Sequence, residues 1–186
     1  FATLIDQEKM GSIGDAGLKI VLYHIPQMSA QAISHALIER LRNAYPTTFT
    51  GIKDSSGDFA NMSAMVERFP GFSVLVGADP LLLPLLRKGG AGCITATSNL
   101  VARDLAYVYK HFRDSDDDAP LKAAQARIVK ARELVSRFPQ MASLKALVAE
   151  RTKHAGWQRL RPPLESLQPD QLKELLANAA AFAASA

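Results

Sequence analysis

The feature that most constrains the fold is an alternation of short apolar runs with amphipathic helical stretches. The runs are rich in Val, Ile, Leu, Tyr and Phe without strict polar alternation, which is typical of strands buried on both faces of a parallel sheet. Four such runs are present, at 19–25, 49–53, 72–76 and 92–95. Their starts lie about 20 to 30 residues apart, enough for one helical crossover each, so the sequence predicts consecutive βα units.

Helical spacing fills the gaps between the runs and all of the chain after them. The first predicted helix spans 30–45 with Ser29 as its N-cap, and the second spans 59–69 with Asp58 as its N-cap. The remaining predicted helices are 80–88, 101–113, 121–138, 143–153 and 170–183. The order is four βα units followed by a helical tail. Four parallel strands form either a small open sheet or half of an eight-stranded barrel, and periodicity does not separate these alternatives.

Composition excludes several classes of protein. The chain has 186 residues, 48% apolar and 22% charged, which is ordinary for a globular domain. The net charge is +4, but the basic residues in 127–161 are interleaved with Leu, Val and Ala at helical spacing. They indicate solvated helix faces, so we expect no nucleic-acid partner. No apolar stretch reaches the roughly 18 residues that a membrane span needs. The single cysteine, Cys93, rules out an intrachain disulfide and fits a reducing compartment.

Lys53 is the most informative single residue. It ends the second apolar run and is followed by Asp54, Ser55 and Ser56. Burial removes hydration from an ammonium group, so a lysine at the end of a buried strand needs a reason. One reason is an amine kept partly neutral, which can attack a carbonyl and form a Schiff base. The alternative is a lysine whose ammonium reaches past the strand end into water.

Polar groups also follow the other strands, at the edge where parallel βα folds carry their chemistry. Tyr23 lies near the end of the first strand, and Thr95 and Thr97 follow the fourth. Schiff-base chemistry needs an amine, a phenol that moves protons and hydroxyls that hold the substrate. By the strand period of two, Ser55 lies on the same side as Lys53 and is a candidate substrate contact. By the same rule His24 points away from Tyr23, and we interpret it as a packing or hydrogen-bonding residue.

These motifs occur together and in order between residues 20 and 104. They read Tyr-His-Ile-Pro, Gly-Ile-Lys-Asp-Ser-Ser-Gly, Val-Gly-Ala-Asp and Gly-Gly-Ala-Gly-Cys-Ile-Thr-Ala-Thr-Ser-Asn. The set resembles the dihydrodipicolinate synthase / N-acetylneuraminate lyase family of class I pyruvate-dependent aldolases. The resemblance implies a TIM (β/α)8 barrel, with 1–113 as its C-terminal half and 114–186 as a helical extension packed on it. Residues 1–17 then correspond to the end of the helix before the fifth barrel strand.

The resemblance also implies roles for particular residues. Lys53 takes the place of the Schiff-base lysine, Tyr23 that of the proton-relay tyrosine, and Ile94 that of a backbone carbonyl beside the substrate. With Ser55, Thr95 and Thr97 as further substrate contacts, this is the expected site. No cofactor and no metal are expected, because the iminium itself is the electron sink. The resemblance implies small-molecule substrates, a cytoplasmic location, no membrane partner and a homo-oligomer, either dimer or tetramer.

The chain departs from the family in two respects. Dihydrodipicolinate synthases usually carry an arginine that grips aspartate semialdehyde two residues after the proline, where this chain has Met28. The first four strands, with a Gly-Thr-Thr-Gly-Glu type loop and a second relay tyrosine, have no counterpart here. We therefore expect a carbon–carbon or carbon–oxygen lyase that condenses or releases pyruvate with another aldehyde. The alternatives are dihydrodipicolinate synthase itself and a non-catalytic truncated or ligand-binding homologue.

Overall fold

The computed structural model describes residues 17–115 and 117–184. The chain divides into two compact units, residues 1–94 and residues 95–186. The first unit holds the sheet and the second is helical. The helix remnant expected at the N-terminus falls on residues outside the described part. The division between barrel and extension expected at residue 113 stays a prediction.

The sheet of the first unit confirms the predicted parallel βα order. Its strands pair side by side in sequence order, β1-β2-β3-β4, and every pairing is parallel. The strands are β1 Ile20–His24, β2 Phe49–Asp54, β3 Ser73–Val76 and β4 Gly92–Cys93. The last is shorter than predicted, because its pairing with β3 ends at Val76 and Cys93. The backbone still follows β3 for one residue, where Ile94 N donates to Val76 O at 3.0 Å.

In the described part of the first unit four α-helices accompany the strands, and those matching the predicted helices 30–45 and 80–88 begin later than predicted, at His35 and Leu82. They are α1 Pro26–Ser29, α2 His35–Ala44, α3 Phe59–Arg68 and α4 Leu82–Arg87. The N-cap of α2 is Ser34, whose hydroxyl accepts from Leu37 N at 3.2 Å. The prediction of Ser29 was wrong because Ala30 adopts a left-handed φ of 54° that ends α1. Asp58 caps α3 as predicted, accepting from Asn61 N.

The first unit is held by apolar side chains between helices and sheet. Ile52 and Val74, on neighbouring strands, are fully or almost fully buried, as are Ile38 of α2 and Met62 and Met65 of α3. Burying a side chain of this size contributes about 1.5–3 kcal/mol. These residues fix the strands against the helices and so fix the edge at which the strands end.

The second unit consists of helices. They are α5 Ser98–His111, α6 Ala119–Ser136, α7 Gln140–Thr152 and α8 Pro169–Ala184. Leu134 and Val135 of α6, Leu144 and Leu147 of α7, and Leu175 of α8 form one buried cluster. In the described part of the chain, no helix has the length and apolar character that crossing a membrane requires.

Candidate active site

Tyr23 and Lys53 meet at the C-terminal edge of the sheet. They are direct register partners on β1 and β2, so their side chains leave the sheet on the same face. The Lys53 Nζ lies 4.1 Å from the centroid of the Tyr23 ring. An ammonium group at this distance is attracted by the negative face of the ring. The structure thus brings together the amine and the phenol that the sequence singled out.

The surroundings of Tyr23 shift its acidity. Burial acts to raise the pKa of the phenol, but hydrogen bonds from Lys53 and Ser55 and the positive charge of Lys53 together lower the pKa below its ordinary value. The side chain remains 51% exposed, so a small molecule can reach it. A phenol with a lowered pKa gives up its proton more readily at neutral pH.

Ser55 joins this pair because Gly77 makes room for it. A Cβ atom on Gly77 would lie only 2.0 Å from Ser55 Oγ, so no larger residue fits without moving the serine. The backbone of Ser55 is held on both sides: its N–H donates to His24 O at 2.8 Å, and its carbonyl accepts from Gln27 Nε2 at 2.8 Å. The predicted position of Ser55 on the Lys53 side is therefore found in the structure.

The ends of β3 and β4 contribute less to this pair. The side chain of Ile94 is 47% exposed, and the role of its carbonyl stays a prediction. After β3 the chain forms a short 3₁₀ turn whose N-cap is Ala78, and Asp79 within that turn is fully buried. Burial, together with the negative charge of Asp79, raises the pKa of the Cys93 thiol to about 11. Cys93 is therefore a protonated thiol at neutral pH and a poor nucleophile.

Thr95 and Thr97 belong to the second unit. The hydroxyls of both are buried and find no hydrogen-bond partner in the described part of the chain. Thr97 is the N-cap residue of α5, yet its side chain makes no capping bond. A buried hydroxyl without a partner is unfavourable. Because both oxygens are enclosed, a substrate reaches them only if neighbouring groups move.

Two features of the site were not identified from the sequence: the contact of Gln27 with Ser55, and the reason why position 77 must be a glycine. Gln27 carries no motif signal, since its contact with Ser55 crosses between two strand ends. Gly77 was interpreted as a turn residue, and only the position of Ser55 shows why a side chain is excluded there. His24 behaves as predicted: it is 6% exposed and its Nδ1 accepts from Ile33 N at 3.1 Å. Among residues 17–115 and 117–184, no cluster of three or more His, Cys, Asp or Glu side chains could hold a metal ion.

Parallel βα units with a lysine and a tyrosine paired at the C-terminal edge of one sheet define a parallel α/β fold with a candidate catalytic pair. Residues 12–181 match the model of the dihydrodipicolinate synthetase family, and the chain belongs to that family. A protein from Chloroflexus aurantiacus, described as an uncharacterized DapA-like lyase, is 33% identical over 162 residues. That match covers 87% of this chain and 53% of the relative.

Solved structures show the same fold. The crystal structure of dihydrodipicolinate synthase from Agrobacterium tumefaciens is 25% identical with a TM-score of 0.78, covering 93% of this chain and 57% of that one. A 2-keto-3-deoxygluconate aldolase from Sulfolobus, at 20% identity and a TM-score of 0.77, shares the fold over 90% of this chain and 55% of its own. The chain thus spans about half the length of the proteins it matches, as a partial barrel of four parallel strands.

Proposed function

We propose that this chain carries the Schiff-base half of a lyase or aldolase that condenses or releases pyruvate with an aldehyde. The observation that carries the proposal is the Lys53 Nζ at 4.1 Å from the centre of the Tyr23 ring, at the end of paired strands. Membership of the dihydrodipicolinate synthetase family supports it. The activity belongs to the full protein, of which this sequence covers the lysine and the tyrosine.

The proposed reaction uses the two side chains in turn. The Lys53 amine, after losing a proton, adds to the ketone carbon of pyruvate and gives a carbinolamine. Tyr23 donates a proton to the carbinolamine oxygen, which leaves as water, and an iminium remains. Loss of a proton from the methyl carbon gives an enamine, whose carbon bonds to the aldehyde carbon. Hydrolysis then returns the free amine and the product, and the reverse sequence releases pyruvate.

The lowered pKa of Tyr23 suits this role. A phenol with a lowered pKa is a better acid towards the carbinolamine, and a larger fraction of it is phenolate, ready to accept a proton at the next step. Ser55, hydrogen-bonded to Tyr23, is proposed to hand protons on or to hold the substrate carboxylate. Ile94, Thr95 and Thr97 are proposed as further substrate contacts because they directly follow β4 in the chain. We also propose that the full protein is a homo-oligomer.

Met28 bears on the aldehyde partner. Its side chain is 78% exposed in α1, the short helix after β1, two residues after Pro26, and a thioether cannot form a bidentate ion pair with a carboxylate. This favours an aldehyde other than aspartate semialdehyde. The second candidate, dihydrodipicolinate synthase, is supported by a relative of that type from Methanoculleus marisnigri, 35% identical over 106 residues. Turnover of aspartate semialdehyde distinguishes the two, and Met28 predicts it to be poor.

Borohydride trapping tests the proposal. The full protein is incubated with pyruvate and borohydride, digested, and its peptides are weighed by mass spectrometry. The expected adduct is pyruvate less one water plus two hydrogens on the peptide that carries Lys53. The Lys53→Ala variant should lose the adduct, whereas Lys19→Ala, the same change at the start of the sheet, should keep it. Lys19 is a suitable control because it is exposed and its Nζ only donates to Thr47 O.

Two outcomes would contradict the proposal. One is a folded full protein that forms no adduct at any lysine. The other is reversible pyruvate binding that Lys53→Ala retains at the parent affinity, which would assign the protein to the class of ligand-binding homologues without catalysis.

A further inference from the structure

Asp54 is a buried carboxyl group directly after the proposed Schiff-base lysine. Its exposed fraction is 0%, and its side chain is fully engaged in hydrogen bonds. The Oδ1 atom accepts from Ser56 N at 2.8 Å and from Ser56 Oγ at 2.6 Å, while Oδ2 accepts from Asn61 Nδ2 at 2.9 Å. Burial of a carboxyl is tolerated only with such partners, so these bonds fix its orientation.

The hydrogen bonds continue from Asp54 into two helices. Asn61 lies in the first turn of α3, and its Oδ1 is 3.0 Å from Nε2 of His35, at the start of α2. The His35 ring packs edge-on against Phe69 with its centroid 5.7 Å away. A continuous set of polar contacts thus ties the end of β2 to the helices that follow β1 and β2.

The main chain on either side of Asp54 is tied to both neighbouring strands. Gly77 N donates to Asp54 O at 2.7 Å, and Ser55 N donates to His24 O at 2.8 Å. By the strand period of two, Lys53 and Ser55 point to the face opposite Asp54. A rotation of the backbone at Asp54 therefore changes the direction of both side chains at once.

Stability alone does not account for a buried carboxyl group at this position. An apolar residue of similar volume usually serves a core at least as well, and the attested use of buried polar groups is to select one arrangement over others. We propose that Asp54 is a positioning residue: held by Ser56 and Asn61, it fixes the turn after β2 and keeps Lys53 and Ser55 aimed at the Tyr23 side of the sheet. Asp54 itself touches no substrate, and this role rests on the proposed Schiff-base function.

The consequence for the reaction is geometric. Addition of an amine to a ketone requires the nitrogen close to the carbonyl carbon and along a narrow approach, and a displacement of about 1 Å can cost up to roughly a hundredfold in rate. When the Asp54 side chain is lost, the turn loses its bonds to Ser56 and Asn61 and keeps the main-chain bonds and the bond from Gln27 Nε2 to Ser55 O. The amine and Ser55 then sample more directions, so iminium formation slows, while the other proposed substrate contacts remain in place.

The experiment measures the rate of borohydride-trapped adduct at Lys53 in the full protein as a function of pyruvate concentration. Asp54→Ala and Asn61→Ala should both lower the maximal trapping rate, by about tenfold and by a smaller factor respectively, with little change in the half-saturating pyruvate concentration. Asp54→Asn should recover most of the rate, because its amide oxygen still accepts from Ser56 and its Nδ2 donates to Asn61 Oδ1 once the Asn61 amide turns over.

Asp58→Ala is the matched control, since it removes a carboxylate from the start of the same helix. The Asp58 side chain accepts from Asn61 N, so its loss should lower the unfolding midpoint while the trapping rate stays at the parent value. Asn61→Ala keeps the test decisive if Asp54→Ala fails to fold, because alanine is a good helix former in the first turn of α3.

The inference is overturned if folded Asp54→Ala or Asn61→Ala traps pyruvate as fast as the parent, or if Asp58→Ala slows trapping as much as they do. In either case the parent and Asp58→Ala still form the adduct, so the proposed function stands. If the parent forms no adduct, the proposed function fails, and the role of Asp54 fails with it.

Discussion

Lys53 and Tyr23 are register partners on adjacent parallel strands, and the lysine nitrogen lies 4.1 Å from the centre of the tyrosine ring. Each residue changes the chemistry of the other's surroundings. The Lys53 amine lowers the pKa of the Tyr23 phenol, and the negative face of the Tyr23 ring attracts the ammonium group. The pair therefore has properties that neither side chain would have alone at a strand end.

Replacing Lys53 by methionine should raise the pKa of Tyr23. The change removes one hydrogen bond and the positive charge that lower it, and it leaves the burial that raises it. The titration of the Tyr23 Cζ resonance in ¹³C-tyrosine-labelled protein measures the shift. Lys19→Met, which changes the overall charge equally, should leave that titration unaltered. An unchanged or lower Tyr23 pKa in Lys53→Met would show that the lysine does not control the phenol.

Gly77→Ala should damage both the fold and the proposed site. Its Cβ would lie 2.0 Å from Ser55 Oγ and 2.9 Å from Ser55 Cα, so the serine must move. Overpacking of this kind costs about 1–3 kcal/mol of unfolding free energy. Urea denaturation measures that loss, and trapping of pyruvate at Lys53 should slow in the same variant.

Gly71→Ala is the control for Gly77→Ala. Gly71 has a φ of 77°, so alanine is strained there too, but nothing lies within 4 Å of the added Cβ. It should lose stability and keep the trapping rate. Equal trapping rates in the two variants would show that the position of Ser55 is unimportant to the reaction.

Cys93 should resist alkylation near neutral pH. Burial, and then the charge of Asp79, raises its pKa to about 11, so the thiolate is scarce until the solution is strongly alkaline. The rate of iodoacetamide labelling against pH should rise towards that value in the folded protein. In Asp79→Asn the rise should move to lower pH but stay above the ordinary thiol range, since burial is the larger cause. Labelling that saturates near pH 8 in the parent would contradict this.

Ser34, and not Ser29, should contribute the N-cap of α2. Ser34→Ala removes the acceptor of the Leu37 N–H and should lower the free energy of unfolding by about 1 kcal/mol. The Ser29 hydroxyl is exposed and bonds only to nearby backbone, so Ser29→Ala should cost less. Urea denaturation of the two variants compares them, and a larger loss in Ser29→Ala would restore the sequence-based assignment.

Much of the fold followed from local patterns. The apolar runs at 49–53 and 72–76 predicted the ends of β2 and β3 to within one residue, because a short continuous apolar run is typical of a strand buried on both faces. Asp58 capped its helix as predicted, because the capping bond involves only residues three apart. The N-cap of α2 was misplaced because 30–34 are helix-compatible by composition, and no residue type there signals the left-handed φ at Ala30 that ends α1.

The candidate site likewise contains residues that local patterns identified and contacts that they could not identify. Lys53, Tyr23 and Ser55 were identified from their places at strand ends, and alternation gave the face of Ser55. The contacts of Gln27 and Gly77 with Ser55 could not be predicted, because they depend on the spacing of strands that are far apart in sequence. The substrate roles of Ile94, Thr95 and Thr97 remain predictions.

The sequence by itself determined the order of βα units and the chemical groups at each strand end, because both are written in residues that are neighbours along the chain. Only the tertiary structure decided that Tyr23 faces Lys53, that Ser55 fits against Gly77, and that Asp54 is tied to Asn61. For the first two the physical reason is register, since residues 30 and 22 positions apart become partners only when helices packed on the sheet fix how one strand lies along the next. The third depends on how α3 packs beside the end of β2.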